Sequence, residues 1–329
     1  MKKLINDVDD LLAESLDGFA LANPDIVRLG PERQFVARKA RKQGKVALIS
    51  GGGSGHEPLH AGFVGTGMLD AACPGQVFTS PTPDQMLAAA HAVHGGAGVL
   101  FIVKNYSGDM MNFQMAAEML DMDNASVIVN DDVAVENSTY TTGRRGVAGT
   151  LVVEKVVGAA AERGEPLARL KALGDAVNNA TASMGVALTS CTVPAAGSPT
   201  FQIGVDEMEM GVGIHGEPGR RRVRLASADD IAAELTGAIL RDLSLKPGTD
   251  VLLFVNGFGG TPLLEQYLMV NAAHKVLEGA GVNVARHLTG SYVTSLEMAG
   301  CSITVSALDA AHMALWDAPV HTAALRWGM

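Results

Sequence analysis

Short apolar runs that stop abruptly at glycine or at polar residues constrain this chain more than any other feature. Residues 45–50, KVALIS, read as a buried strand that runs directly into Gly51-Gly52-Gly53-Ser54-Gly55-His56-Glu57-Pro58. A helical stretch over about 83–93 separates it from a second apolar strand, 98–103, which ends in Lys104-Asn105-Tyr106-Ser107-Gly108-Asp109. After a further helix comes a third strand, 126–129, ending in Asn130-Asp131-Asp132. Strands alternating with helices predict an α/β fold whose parallel sheet is closed by crossover connections. Ligands in such sheets collect beyond the carboxyl ends of the strands, and here three successive strand ends carry polar or glycine-rich loops.

The remainder of the chain extends this pattern. Apolar residues at helical spacing from Leu4 to Phe19 predict an opening amphipathic helix before Pro24. Helices are expected over 146–163 and 166–179, and a composition change at 181–184 marks a boundary between two domains, 1–183 and 184–329. The first is expected to be doubly wound and mostly parallel. The second is expected to be α/β with a mixed sheet, with strands near 185–189, 207–214, 250–256, 282–287 and 302–308 and helices over 262–279 and 294–299. A length of 329 residues with 38 glycines and 5% aromatics fits two cores joined by many tight turns. The net charge of -10 argues against nucleic acid and anionic membranes as partners. Asp7, Asp9 and Asp10 interrupt any apolar leader, and no run is long enough to span a bilayer. Cys73, Cys191 and Cys301 are widely separated and odd in number, which suits buried free thiols in the cytoplasm better than a disulfide framework.

Four motifs carry candidate chemistry. The glycine run at 51–55 follows a strand, but His56 stands where GxGxxG needs its last glycine, and no GK[ST] follows. It therefore reads as a loop whose backbone approaches a small ligand closely. His56-Glu57-Pro58-Leu59-His60 is a literal HExxH, yet Pro58 is tolerated only in a first helical turn, and Phe63 and Thr66 occupy the places of a third zinc ligand's motif. Asp109, beside a polar loop, is a candidate general base, and Lys104 a candidate donor to a substrate oxygen. His215 is flanked by glycines in Gly211-Val212-Gly213-Ile214-His215-Gly216-Glu217-Pro218-Gly219, which clears space around its imidazole. Arg144-Arg145 and Arg220-Arg221-Arg222 are assigned to surface salt bridges or subunit contacts.

Beyond these motifs, the chain resembles the K subunits of bacterial dihydroxyacetone kinases. The matching blocks include LINDV at 4–8, KVALISGGGSGHEP at 45–58, ACPGQVFTSPTPD at 72–84 and KNYSGDMMNF at 104–113. They continue with DDVAVE at 131–136, GRRGVA at 143–148, CTVPAAG at 191–197, GVGIHGEPG at 211–219 and LWDAPVHT at 315–322. The resemblance implies that His215 attacks the ketone carbon of dihydroxyacetone, or a similar short ketose, to form a hemiaminal. It implies an acid/base pair of His56 and Asp109, and substrate contacts from Gly53, Ser54, Gly55 and Lys104. It also implies a homodimer with no cofactor of its own. ADP or ATP with magnesium is expected on a separate L subunit, served in many bacteria by a phosphotransfer protein drawing on phosphoenolpyruvate. Two other classes stay open at this stage: a regulatory paralogue that binds a ketone or an L-type partner, and the zinc hydrolase that HExxH would signal.

Overall fold

The structure, a computed structural model, describes residues 2–135, 141, 143–217 and 219–329. Glu136 and Pro218, each within a matched sequence block, lie outside the described residues.

Numbered in chain order, the first sheet runs in space from Val27–Leu29 (β1) through Val36–Arg38 (β2), Ala71–Val77 (β5), Ala47–Ser54 (β3) and Val99–Lys104 (β6) to Asn124–Val129 (β7). The four strands from β5 to β7 are parallel, and β1 and β2 close one edge antiparallel. Pro83–Val93 (α2) and Ser107–Met119 (α3) bury Met86, Ala89, Phe113 and Ala116 against Ile49, Val99 and Phe101 on one face. Gly149–Glu162 (α4) and Leu167–Asn179 (α5) cover the other, with Leu151, Val152 and Leu170 against Leu48, Leu100 and Val127. This first sheet is doubly wound and mostly parallel.

The second sheet runs from Arg221–Arg224 (β10) through Glu207–Met210 (β9), Thr181–Ala187 (β8), Gly300–Ala307 (β13) and Asp250–Gly257 (β11) to Asn283–Gly290 (β12). Only β11 and β12 pair parallel, across Leu263–Gly279 (α7), so the sheet is mixed. Ala228–Leu243 (α6) packs beside α7 over one face. Its amino end is capped by Ser227 Oγ, which accepts from Asp230 N at 3.2 Å. The other face meets α4, which is buried from Gly149 through Ala161 because it is wedged between both sheets. A helix so placed has to be apolar nearly all round, and GTLVVEKVVGAAA is, apart from Thr150, Glu154 and Lys155. A small antiparallel sheet of Gly65–Thr66 (β4), Val320–Thr322 (β14) and Arg326–Trp327 (β15) ties the carboxyl end to the segment after the glycine run. There Lys155 Nζ donates to Trp316 O, at the end of Ala310–Trp316 (α8), and lies over the rings of Trp316 and Trp327. No helix among the described residues is long and apolar enough to cross a membrane.

Several expectations need correction. The opening helix, Leu11–Ala22 (α1), starts later than its apolar spacing implied. Leu4 and Val8 are exposed, and Asp7 Oδ1 instead takes the Asp9 N–H in a local turn. The expected helix at 294–299 is a loop, because its N–H groups are taken by distant carbonyls: Thr294 by His56 O, Ser295 by Phe258 O and Leu296 by Gly55 O. The strand expected over 207–214 ends at Met210, where Gly211 turns at φ +74 and its N–H bonds Gly185 O. The 183/184 boundary falls inside β8, and the two sheets part between α5 and β8.

Candidate active site

The glycine run is not a loop. β3 continues through Ser54, and its glycines are demanded by neighbours that fill the space of their absent side chains. A Cβ on Gly52 would stand 2.2 Å from Lys104 Nζ. The strand breaks at Gly55, whose φ of +99 a side chain would strain. That turn carries His56 across the end of the sheet to the 211–217 loop.

His56 is fully buried, with its Nδ1 2.8 Å from Thr294 O. A carbonyl only accepts, so Nδ1 carries the hydrogen and Nε2, which has no partner, presents a lone pair. Burial, then the neighbouring His215 and the Lys104 charge, push its pKa well below the ordinary histidine value. Asp109 sits in the first turn of α3, where the helix N-terminus favours a carboxylate. Its Oδ2 lies 3.6 Å from Lys104 Nζ, while Oδ1 is buried without a partner.

His215 lies in the loop after β9 rather than at a strand end. Its ring stands edge-on to His56 at 4.6 Å, Tyr106 at 4.4 Å and Phe78 at 5.4 Å. Burial, then the charges of Lys104 and Arg145, hold its pKa down to about 3, so the imidazole is neutral at physiological pH. Gly53, Phe78, Ser80, Asp109, Asn112 and His215 line one cavity of about 610 Å³.

The loop bearing His215 is fastened from below by Arg145. Assigned above to the surface, this side chain is 1% exposed. Its Nε donates to Asp132 Oδ2 at 2.8 Å, Nη2 to Gly211 O at 2.7 Å, and Nη1 to Glu217 Oε1 at 3.4 Å. Glu217 Oε2 in turn accepts the His215 N–H at 2.9 Å. Arg144 does lie at the surface, paired with Asp242, as do Arg221 with Glu234 and Arg222 with Glu209. The remaining expected contacts divide. Gly53 faces the cavity, Gly55 makes the turn, Ser54 Oγ donates to Gly75 O at 2.7 Å, and Lys104 is sealed behind β3 with no exposure. Phe78 and Tyr106 went unassigned and Arg145 was placed at the surface: an aromatic at a strand end or an arginine in an acidic chain carries no mark of its depth. HExxH is not a zinc motif here. The segment is not a regular helix, and Glu57 accepts from Gly55 N while His60 faces Glu154. Among the described residues no group of three or more ligating side chains could hold a metal.

Residues 17–324 match the family model described as the Dak1 domain. The chain is 51% identical over 312 residues, 94% of this chain and 95% of the relative, to the PTS-dependent dihydroxyacetone kinase 1, dihydroxyacetone-binding subunit DhaK, of Listeria innocua serovar 6a. It is 48% identical over 356 aligned positions, covering both chains in full, to the PEP-dependent dihydroxyacetone kinase, dihydroxyacetone-binding subunit DhaK, of Escherichia coli K12. A solved structure titled dihydroxyacetone kinase operon co-activator Dha-DhaQ superimposes with a TM-score of 0.91 at 32% identity, over 98% of this chain and 99% of the other. With a family model spanning nearly its whole length and relatives near half identity, the chain belongs to the Dak1 domain family.

Proposed function

We propose that this chain is the cytoplasmic ketose-binding subunit of a dihydroxyacetone kinase, holding dihydroxyacetone or a close short-chain ketose as a hemiaminal on His215. The observation that carries this is the convergence of a neutral imidazole, an unpartnered carboxylate oxygen and a second imidazole lone pair at the end of one sheet. A ring nitrogen of His215 bonds to the ketone carbon as the carbonyl π bond breaks. The oxygen gains a proton and the ring loses one, leaving a hydroxyl on a tetrahedral carbon. Glycerol and other polyols have no such carbon, so covalent capture supplies a selectivity that hydrogen bonds to hydroxyls do not.

Capture also fixes the terminal hydroxyl. Asp109 Oδ1 takes its proton as that oxygen attacks phosphorus, and His56 Nε2 orients it. The relatives at 48–51% identity are named as binding subunits, which supports a phosphoryl donor carried on a partner chain with ADP or ATP and magnesium. The PTS- and PEP-dependent names support phosphoenolpyruvate as the ultimate source.

Intact-mass measurement under gentle ionisation, with dihydroxyacetone and beside a His215→Ala control, tests the reading. An adduct of the whole ketone mass, absent from the control, is expected. No adduct with any small ketose overturns it, and an adduct short by one water moves the bond to a lysine. The fold shared with the co-activator at a TM-score of 0.91 favours a second reading, a ketone-sensing regulator. That reading predicts an adduct without phosphoryl transfer in the reconstituted complex.

A further inference from the structure

The second histidine of HEPLH takes no part in this chemistry, yet it is nearly as buried as the first. His60 lies on the far side of β3 from the cavity, against Lys104. Its Nε2 is 2.9 Å from Lys104 Nζ. Its Nδ1 is 2.7 Å from Glu154 Oε1 and 3.0 Å from Ser50 Oγ. Glu154 comes from α4, the helix wedged between the sheets, and is fully buried.

These contacts determine where the hydrogens go. Ser50 Oγ donates to Ile102 O at 2.7 Å, so it is an acceptor toward His60. Nδ1 therefore faces two oxygen acceptors and carries the ring hydrogen, and Nε2 offers its lone pair to the ammonium. The protons of Lys104 then have three acceptors in reach: His60 Nε2, Gly51 O at 3.3 Å and Asp109 Oδ2 at 3.6 Å. Burial and the Lys104 charge also hold His60 well below the ordinary histidine pKa, in keeping with a neutral ring.

We propose that Glu154 and His60 are positioning residues for Lys104. They form a carboxyl–imidazole–ammonium chain that aims the lysine's charge at Asp109 Oδ2 and leaves Oδ1 open to the substrate hydroxyl. The idea rests on Asp109 acting as the base of phosphoryl transfer. Glycine at position 52 belongs to the same device, since a Cβ there would lie 2.2 Å from Lys104 Nζ and 3.5 Å from His60 Nε2.

The test has two parts. In the wild-type chain, ¹⁵N-edited NMR of the imidazoles should show His60 with a pyrrole-like Nδ1 and a pyridine-like Nε2. A pyrrole-like Nε2 overturns the proposal whatever the variants do. Glu154→Leu and Glu154→Gln are then assayed for adduct formation with dihydroxyacetone and for phosphoryl transfer in the complex with the nucleotide-bearing subunit. Glu154→Leu should keep the adduct and lose kcat by about tenfold or more, as expected for a displaced base. Glu154→Gln, which retains an acceptor for Nδ1–H, should restore most of that loss. Unchanged kcat in Glu154→Leu, or a parallel loss of adduct and kcat, refutes positioning. A wild-type chain that forms no adduct fails the functional reading instead, and the imidazole NMR pattern still decides the fate of the chain of contacts.

Discussion

Replacing Arg145 with methionine removes the one cation that joins β7's exit, the turn at Gly211 and the carboxylate holding His215. The side chain is 1% exposed, and its partners Asp132 and Glu217 are 1% and 5% exposed. Methionine roughly fills the volume but leaves two buried carboxylates without their counter-ion. Breaking one side of a buried pair costs about 3–5 kcal/mol, more than any surface pair among these arginines could contribute. The loss is bounded because Asp132, whose pKa burial already raises, can take up a proton once the guanidinium is gone. The same change frees Glu217 Oε1, so the 211–217 loop loses the anchor that orients the His215 N–H. Urea unfolding followed by tryptophan fluorescence should show a stability loss of about 3–5 kcal/mol at neutral pH. Ketone adduct formation should fall with it. Adding Asp132→Asn to Arg145→Met should recover about 1 kcal/mol or more, the signature of coupled neighbours. A loss under about 1 kcal/mol with full adduct formation would refute the argument, because that is the size of a solvated pair.

Three further outcomes follow from the same geometry. Because His215 is held to about 3, adduct occupancy should stay level as pH falls from about 8 to about 4.5; a half-loss near 6.5, measured by intact mass across pH, would mean an ordinary imidazole. Burial raises Glu154 from 4.5 to about 8, so the folded state holds more protons than the unfolded chain between those values, and its contribution to stability is lost as pH rises through that window. Glu154→Gln should accordingly raise Tm more at pH 8 than at pH 5, by calorimetry, and an equal shift at both would contradict the raised value. Gly52→Ala drives a methyl group into Lys104 Nζ, so phosphoryl transfer should drop while the His215 adduct persists; unchanged turnover would show that the lysine end can move freely.

The alternation of strands and helices and several element positions were legible because apolar runs and glycine breaks are local signals. α2, β6, α5 and β11 lie within a residue or so of their expected positions. What stayed hidden was long-range. KVALISGGGS reads as a strand followed by a loop, since nothing in GGG says that Cys73, Lys104 and Phe78 will crowd its faces; the crowding is what keeps it a strand. Apolar content was equally uninformative at ACPGQVF, residues 72–78, where proline and glycine masked β5. Residues 294–299 have helical spacing, but tertiary hydrogen bonds donated by Thr294 N to His56 O and by Leu296 N to Gly55 O outweigh that local preference. Arg145 and Arg144 are adjacent and alike in sequence, and only the turn before α4 sends one inward and the other to Asp242.

A common electrostatic influence reaches the three buried histidines around β3. Lys104 is a fully buried ammonium, and its charge depresses His56, His60 and His215 in addition to the burial that affects each ring most. Arg145 adds to the effect at His215 from the opposite side. Burial first, and then two cations sealed behind the cavity, keep the His215 imidazole unprotonated, as the proposed hemiaminal requires. The same field favours negative charge within the cavity, which under the proposed function would fall first on the ketone oxygen as it becomes tetrahedral and then on the phosphate brought to the terminal hydroxyl. On a chain of net charge -10, such a field is confined to where the low-dielectric interior carries it. Under the proposed function the burial of Lys104 behind glycine matters for the same reason: an exposed lysine at the same distance would be screened by water and would add little to the burial that depresses the three histidines.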